Sequence, residues 1–387
     1  MEKTLIDQTK VQQFEQKMVD ILNLSSVSMM ISIGHRTGLF DVMENLEYAA
    51  SEEIARHAGL NERYVREWLG AMVTSGIVDY DSSSGTYRLP AEHAALLTRS
   101  ASPNNLAVFT QYVAVLGSVE DQIVDAFEHG QGVPYSAYAR FHEVMREDSG
   151  QTVVAALADH ILPLVDGLQE KLERGVRAAD VGCGSGLALL TLAKMFPNSE
   201  FTGYEMSEEA INWANAQAEM QGLRNAAFEV CDAAHLPKQN YFDWVMTFDA
   251  IHDQAQPDKV LENIYNTLVP GGIYLMQDIA ASSKLENNLD HPLAPFIYTI
   301  SCMHCMSVSL AGGGPGLGAA WGREKALAML ADAGFEVFKI DELAHALREG
   351  GPAVARRAEV HAVVLHKAGV LHCEQDFQLP GAEVACL

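Results

Sequence analysis

Three glycines at alternate positions, Gly182, Gly184 and Gly186, follow Asp180 at the end of a short apolar run that opens at Val176. Glycine lacks a Cβ, so such a turn can take φ > 0 and let a ligand lie against bare backbone. A helix-forming run, Leu187 to Phe196, comes next. The start of a helix offers unsatisfied N–H groups and the positive end of a dipole, which suits a negative or polar ligand group. The spacing is G-x-G-x-G, not the G-x-G-x-x-G of the dinucleotide fingerprint. A second run, 200–205, ends in Glu205, with Met206 beside it, 19 residues past Gly186. An acid there is placed to accept hydrogen bonds from both hydroxyls of a ribose. A third run closes on Asp232 and Ala233, a fourth on Asp249, and Pro270-Gly271-Gly272 turns into a fifth, Ile273 to Gln277. His252 and Asp253 follow the fourth. Ligands of doubly wound sheets gather at the carboxyl ends of strands, so His252 is expected near the reacting group. A neutral imidazole takes a proton from a hydroxyl, and Asp253 is the expected residue to orient it.

These elements must be held by a sheet of alternating strands and helices, and their order narrows its kind. From Val176 to Asp278 the chain resembles the class I S-adenosylmethionine-dependent methyltransferases. The resemblance implies a Rossmann-like, seven-stranded doubly wound α/β sheet with S-adenosylmethionine as cofactor. Asp180, Gly182, Gly184 and Gly186 look like its glycine motif and Glu205 like its ribose-binding acid. Asp232 and Ala233 look like the pair flanking the adenine. Asp249 looks like the residue beside the methionine portion and the substrate. With Met206, these are the expected cofactor contacts. His252-Asp253 resembles the His-Asp of small-molecule O-methyltransferases, where the histidine is the general base. The sequence departs from them in continuing Gln254-Ala255-Gln256-Pro257, without the tryptophan usual there. Methyl transfer from a sulfonium also runs by proximity and orientation alone.

At 387 residues the chain is long enough for two domains, and 48% hydrophobic residues suffice for a sizeable core. A net charge of −25 disfavours nonspecific attraction to nucleic acid or to an anionic membrane. Six unevenly spaced cysteines argue against a disulfide scaffold and for a reducing, cytoplasmic setting. The first residues lack the apolar core of a secretory signal, and no run of about 18 apolar residues is evident.

Before residue 100 the pattern is helical, then a hairpin. Phe14, Met18, Ile21 and Leu22 recur at helical spacing. Ser51 is the expected N-cap of a helix that Gly59 stops, and Asn61 caps the next. Two short runs then flank Ser82-Ser83-Ser84-Gly85, which completes a winged helix. Its second helix carries Glu62, Arg63, Arg66 and Glu67, so its charges cancel and DNA binding is not expected. The section from Met29 to Leu97 resembles the N-terminal winged helix with which small-molecule O-methyltransferases dimerise. A homodimer with a small-molecule acceptor is therefore implied.

The expected division is a winged-helix dimerisation domain over 1–100, a helical connector over 101–172, the methyltransferase domain over 173–367 and a tail over 368–387. In the resembling enzymes the connector and an insertion after the fifth strand line the substrate pocket. Tyr112 and His160 in the first, and His304 and Trp321 in the second, are the expected substrate contacts, with Tyr135, Tyr138 and Phe141 as further candidates. Cys302-x-x-Cys305 with His304 lacks a second ligand pair, so no metal is expected. Five glycines among residues 312–318 suggest a loop or hinged lid. Methyl transfer to oxygen of a small molecule is the implied activity. A regulator that binds the same cofactor, or an acceptor atom of nitrogen, sulfur or a metalloid, remains open.

Overall fold

The computed structural model describes residues 6–343 and 360–366. Its first element is a 30-residue helix, α1 (Gln8–Thr37), capped by the Asp7 carboxylate and ended by Gly38 at φ 72°. Helices α2 (Leu39–Glu44), α3 (Ser51–Ala58) and α4 (Glu62–Thr74) and the hairpin β1 (Asp79–Asp81) and β2 (Thr86–Arg88) complete the winged helix. Trp68 of α4 is the wedge of its core: the ring packs edge-on to Phe40, and its indole N–H donates to the Met30 carbonyl at 2.8 Å. Only the second half of α1 joins that core, and residues 6–26 are exposed along their whole length. Asn61 caps α4 as expected. Ser51 does not cap α3: Ala50 stands at the N-cap, and the Ser51 hydroxyl donates to Glu62 at 2.6 Å, tying the two helices together.

Helix α5 (Ala91–Leu97) closes the winged-helix section, and the connector holds α6 (Ala107–Gly117), α7 (Glu120–His129), α8 (Phe141–Gln151) and α9 (Val153–Ala156), then a π-helical turn over Leu157–Ile161. Helix α10 (Leu168–Arg174) leads into the sheet. That sheet is built from β3 (Arg177–Val181), α11 (Leu187–Met195), β4 (Glu200–Glu205), α12 (Glu208–Met220), β5 (Ala226–Val230), β6 (Phe242–Phe248), α13 (Pro257–Thr267) and β7 (Leu268–Ile279). The insertion follows as α14 (Ala294–Ile300), a π-helical stretch Ser301–Cys305 and α15 (Met306–Ala311); then come α16 (Gly322–Asp332), β8 (Glu336–Leu343) and β9 (Val360–His366).

The strand order is β5-β4-β3-β6-β7-β9-β8. The first five run parallel, and β9 is antiparallel to both its neighbours. This is the expected seven-stranded doubly wound sheet. The order reverses between β3 and β6, so the turns that leave these two strands open on one crevice, the position where such sheets bind ligands. Two apolar clusters fill the faces of the sheet, one centred on Leu189, Trp244 and Met246, the other on Val245, Leu261 and Tyr274.

One expectation needs correction. The span Ala294–Ala311 is, by length and composition, apolar enough to cross a membrane, contrary to the reading that no such run exists. In the fold it is wound against the connector, through the Tyr138 hydroxyl on the Met303 carbonyl and the Ser307 hydroxyl under the Val133 amide. The glycine-rich stretch after it is a loop, the first of the two expected alternatives. It is fastened to the turn after β6: a Cβ on Gly314 would stand 2.7 Å from Ala255, and Gly318 N–H donates to the His252 carbonyl at 3.2 Å. The tail 368–387, with Cys373 and Cys386, lies outside the described residues.

Candidate active site

The turn after β3 is as tight as its glycines suggest. Gly182, Gly184 and Gly186 all have positive φ. A Cβ on Gly182 would meet Ala250 at 2.5 Å, and one on Gly186 would meet the Phe228 ring at 2.3 Å. Neither conformation nor space admits a side chain. Gly184 N–H donates to the Glu205 carboxylate at 3.2 Å, and Ser207 N–H donates to its other oxygen at 3.0 Å. Glu205, on the tip of β4, is thereby fixed beside the turn. Asp180 is buried at the end of β3 with Oδ1 unpartnered. Burial, with Glu205 nearby, pushes its carboxyl up to about 8. Asp232 caps a one-turn helix, Ala233–His235, accepting from the Ala234 amide, and Met206 stands exposed next to Glu205.

Across the crevice, Asp249 ends β6 in a left-handed conformation, φ 49°, that non-glycine residues rarely adopt. It is half-buried, its enclosed Oδ1 lacks a partner, and burial with the Asp278 charge raises it to about 8. Three residues on, His252 is 3% exposed, and its Nδ1 lies 2.8 Å from Asp278 Oδ1, itself 4% exposed. Asp278, not Asp253, orients the imidazole. The reason is register: Phe248 of β6 pairs with Gln277 of β7, so Asp278 emerges level with the turn that carries His252. Asp253 instead takes a hydrogen bond from the Gln254 side chain. Burial opposes a charge on His252, but the Asp278 carboxylate, with a smaller contribution from Cys305, overrides it. The histidine's affinity for its proton is therefore raised well above the ordinary imidazole range. Burial, with the Glu205 and Asp278 charges and against the pull of His252, raises Asp253 to about 6.

The connector closes the crevice with rings. His304 lies flat on Phe141, centroids 3.7 Å apart and planes 5° apart, with Tyr135 and Tyr138 edge-on. The Tyr112 hydroxyl donates to Asp148 at 2.7 Å, and Tyr112 packs against Phe141 and Phe296. Tyr135 stacks on His142. Asp148, half-buried, is raised to about 6 by burial. Tyr112, Tyr135, Tyr138, Phe141 and His304 thus converge as expected. His160 and Trp321 do not. His160 is exposed on the π-helical turn, and Trp321 is buried in the apolar cluster under the sheet with Met276 and Leu330. Sequence reasoning missed Asp278, Asp148 and His142, and singled out Cys305 only as part of a possible metal motif. An acid one residue beyond the fifth strand's apolar run was the signal for Asp278.

A crevice at a strand-order reversal, with a glycine turn tied to an acid on one side and a buried His–Asp pair on the other, defines the class I methyltransferase fold, here behind a winged helix. Residues 172–334 match the family model of a methyltransferase domain, and residues 25–99 match an Rv2258c-like winged HTH domain. The chain carries both domains. It is 31% identical over 105 residues to a fatty-acid O-methyltransferase of Mycolicibacterium smegmatis, a match that covers 27% of this chain and 37% of that one. The chain therefore spans well under half the length of that relative. Among solved structures, human N-acetylserotonin methyltransferase in complex with S-adenosylmethionine superposes with a TM-score of 0.65 at 17% identity. It covers 95% of this chain and all of that one. The mitomycin 7-O-methyltransferase MmcR does so at 0.65 and 17%, over 94% of this chain and 100% of its own. At such identity these likenesses speak for the fold.

Proposed function

We propose that this protein binds S-adenosylmethionine and transfers its methyl group to a small-molecule acceptor, at oxygen. The observation that carries the reading is the meeting, at one crevice, of the Gly184–Glu205 bond and the buried His252–Asp278 pair. The donor set fits the cofactor. A sulfonium and an ammonium are cations, and the crevice offers carboxylates, of which Asp180 and Asp249 keep unpartnered buried oxygens. The unprotected turn Gly182 to Gly186 would take the methionine portion, Glu205 the ribose, Asp232 and Ala233 the adenine, and Asp249 the sulfonium side.

The cofactor supplies a methyl group on positive sulfur. The chain's residues manage the proton. Asp278 fixes Nδ1 as the hydrogen-bonded nitrogen, which leaves Nε2 to take the acceptor's hydroxyl proton once the ring is neutral. The acceptor oxygen gains the methyl as the carbon–sulfur bond breaks, and the proton ends on His252. The test is transfer of labelled methyl from S-adenosylmethionine into a metabolite extract, with titration calorimetry of the cofactor. Glu205→Ala should weaken cofactor binding at least about tenfold, the loss of a bidentate charged acceptor. Unchanged affinity would remove Glu205 from the ribose.

The same reading includes a homodimer and a cytoplasmic setting. Val11, Phe14, Met18, Ile21 and Leu22 form an exposed apolar stripe on α1, the kind of surface a second copy covers. The four cysteines among the described residues are free thiols, as in a reducing compartment. Nucleic acid is not a supported partner: Arg63 and Arg66 of α4 are held by Glu67 and Glu62 of the same helix. Light scattering on the full chain should give a dimer mass, and Phe14→Glu with Met18→Glu should give a monomer of unchanged circular dichroism. A wild-type monomer at about 10 µM, in the middle of the affinity range of specific interfaces, would end the dimer reading.

A further inference from the structure

His304 is 2% exposed, and neither ring nitrogen has a hydrogen-bond partner. A buried polar atom without a partner carries a desolvation penalty that folding alone does not repay. Two on one ring, on a side chain whose plane is clamped against Phe141 and flanked by Tyr135 and Tyr138, call for a purpose. Burial first, then the His252 and His142 charges, lower this imidazole to about 3, so it is neutral throughout the physiological range. A neutral ring held in one plane offers one N–H donor and one lone-pair acceptor in fixed directions. It sits one residue before Cys305, a buried thiol that neighbours His252. Two carboxylates, Asp253 and Glu205, act on Tyr135 of this cluster, while the His252 charge is matched by Asp278 and burial lowers His142.

We propose that His304 is the residue that selects the acceptor: it hydrogen-bonds a second polar group on a non-anionic, ring-bearing molecule whose first polar group, the methylated one, lies at His252. The proposal rests on the methyl-transfer reading above and adds the substrate class. The aromatic walls supply ring-face contact, the neutral imidazole reads a donor or acceptor without charge, and the carboxylates repel an acid. Sites built to hydrogen-bond a substrate group reject analogues lacking it far more strongly than apolar pockets reject an extra group.

The experiment is calorimetry on the full chain saturated with S-adenosylhomocysteine. The probes are 1-naphthol, 1-naphthoate and dihydroxynaphthalenes with both hydroxyls on one ring or one on each. At least one diol should bind tenfold or more tightly than 1-naphthol, and 1-naphthoate should not bind. In His304→Phe, which keeps the ring stack and removes both nitrogens, the diol should fall to the level of 1-naphthol while the melting temperature holds or rises. Equal binding of every diol and 1-naphthol to the wild type overturns the proposal, and so does a diol preference that survives in His304→Phe. The first comparison needs no variant, so a poorly folding mutant does not shield the idea. Loss of the methyl-transfer reading would show separately, as no heat with S-adenosylhomocysteine itself.

Discussion

Replacing His252 with alanine lowers turnover by about 10²- to 10⁴-fold and leaves S-adenosylhomocysteine affinity within about twofold, as expected for a general base that touches only the acceptor. The companion change is Asp278→Asn. In the wild type, the Asp278 charge keeps the proton on His252 and outweighs burial, which pushes the other way. A base works only when deprotonated, so the acid limb of the wild-type pH–rate profile lies above the ordinary imidazole range. Removing the carboxylate lowers the histidine's affinity for its proton. The limb then moves toward lower pH while the maximal rate falls, because the ring loses the partner that sets its tautomer and plane. A limb that stays in place would mean another group titrates. An unaffected rate in His252→Ala would leave methyl transfer to proximity alone.

The two halves of that pair were unequally legible in the sequence. His252 stood out because it follows a strand end by a few residues, and strand ends are local features. Asp278 lies 26 positions further on, and only the parallel pairing of β6 with β7 brings it alongside. Reading along the chain favours the neighbour, Asp253, which the turn directs to Gln254 instead. The glycine turn was legible for the opposite reason: its demands are satisfied within a few residues, and Glu205 belongs to the adjacent strand. The insertion was half legible. Its place after β7 marked His304 as a substrate contact. Trp321 follows only ten residues after α15, yet it drops into the cluster beneath the sheet, since nothing in a single tryptophan distinguishes a wall of a pocket from a wedge in a core. Polar residues near rings read the same way in sequence whether they face solvent, as His160 does, or a stack, as His304 does.

The glycine turn gives the second large effect, and the structure contains its own control. Gly186 and Gly222 share nearly the same backbone, φ 69° and 68°. Alanine at Gly222 meets nothing within 4 Å, so it carries only the left-handed penalty, about 1–2 kcal/mol of stability. Alanine at Gly186 carries that penalty and drives its Cβ to 2.3 Å from the Phe228 ring. Overpacking of this kind adds roughly 1–3 kcal/mol. The ring sits on β5 under the turn, so relief comes by displacing the backbone that carries Gly184 and its bond to Glu205. Gly186→Ala should therefore bind S-adenosylmethionine about 10²-fold more weakly, close to 2.7 kcal/mol. Gly222→Ala should bind like the wild type despite a lower melting temperature. Adding Phe228→Leu to Gly186→Ala removes the ring and should recover part of the affinity. The remaining deficit measures what the left-handed turn itself contributes to holding the cofactor. If Gly186→Ala and Gly222→Ala lose stability alike and neither loses affinity, the turn is scaffolding and the cofactor lies elsewhere on the sheet.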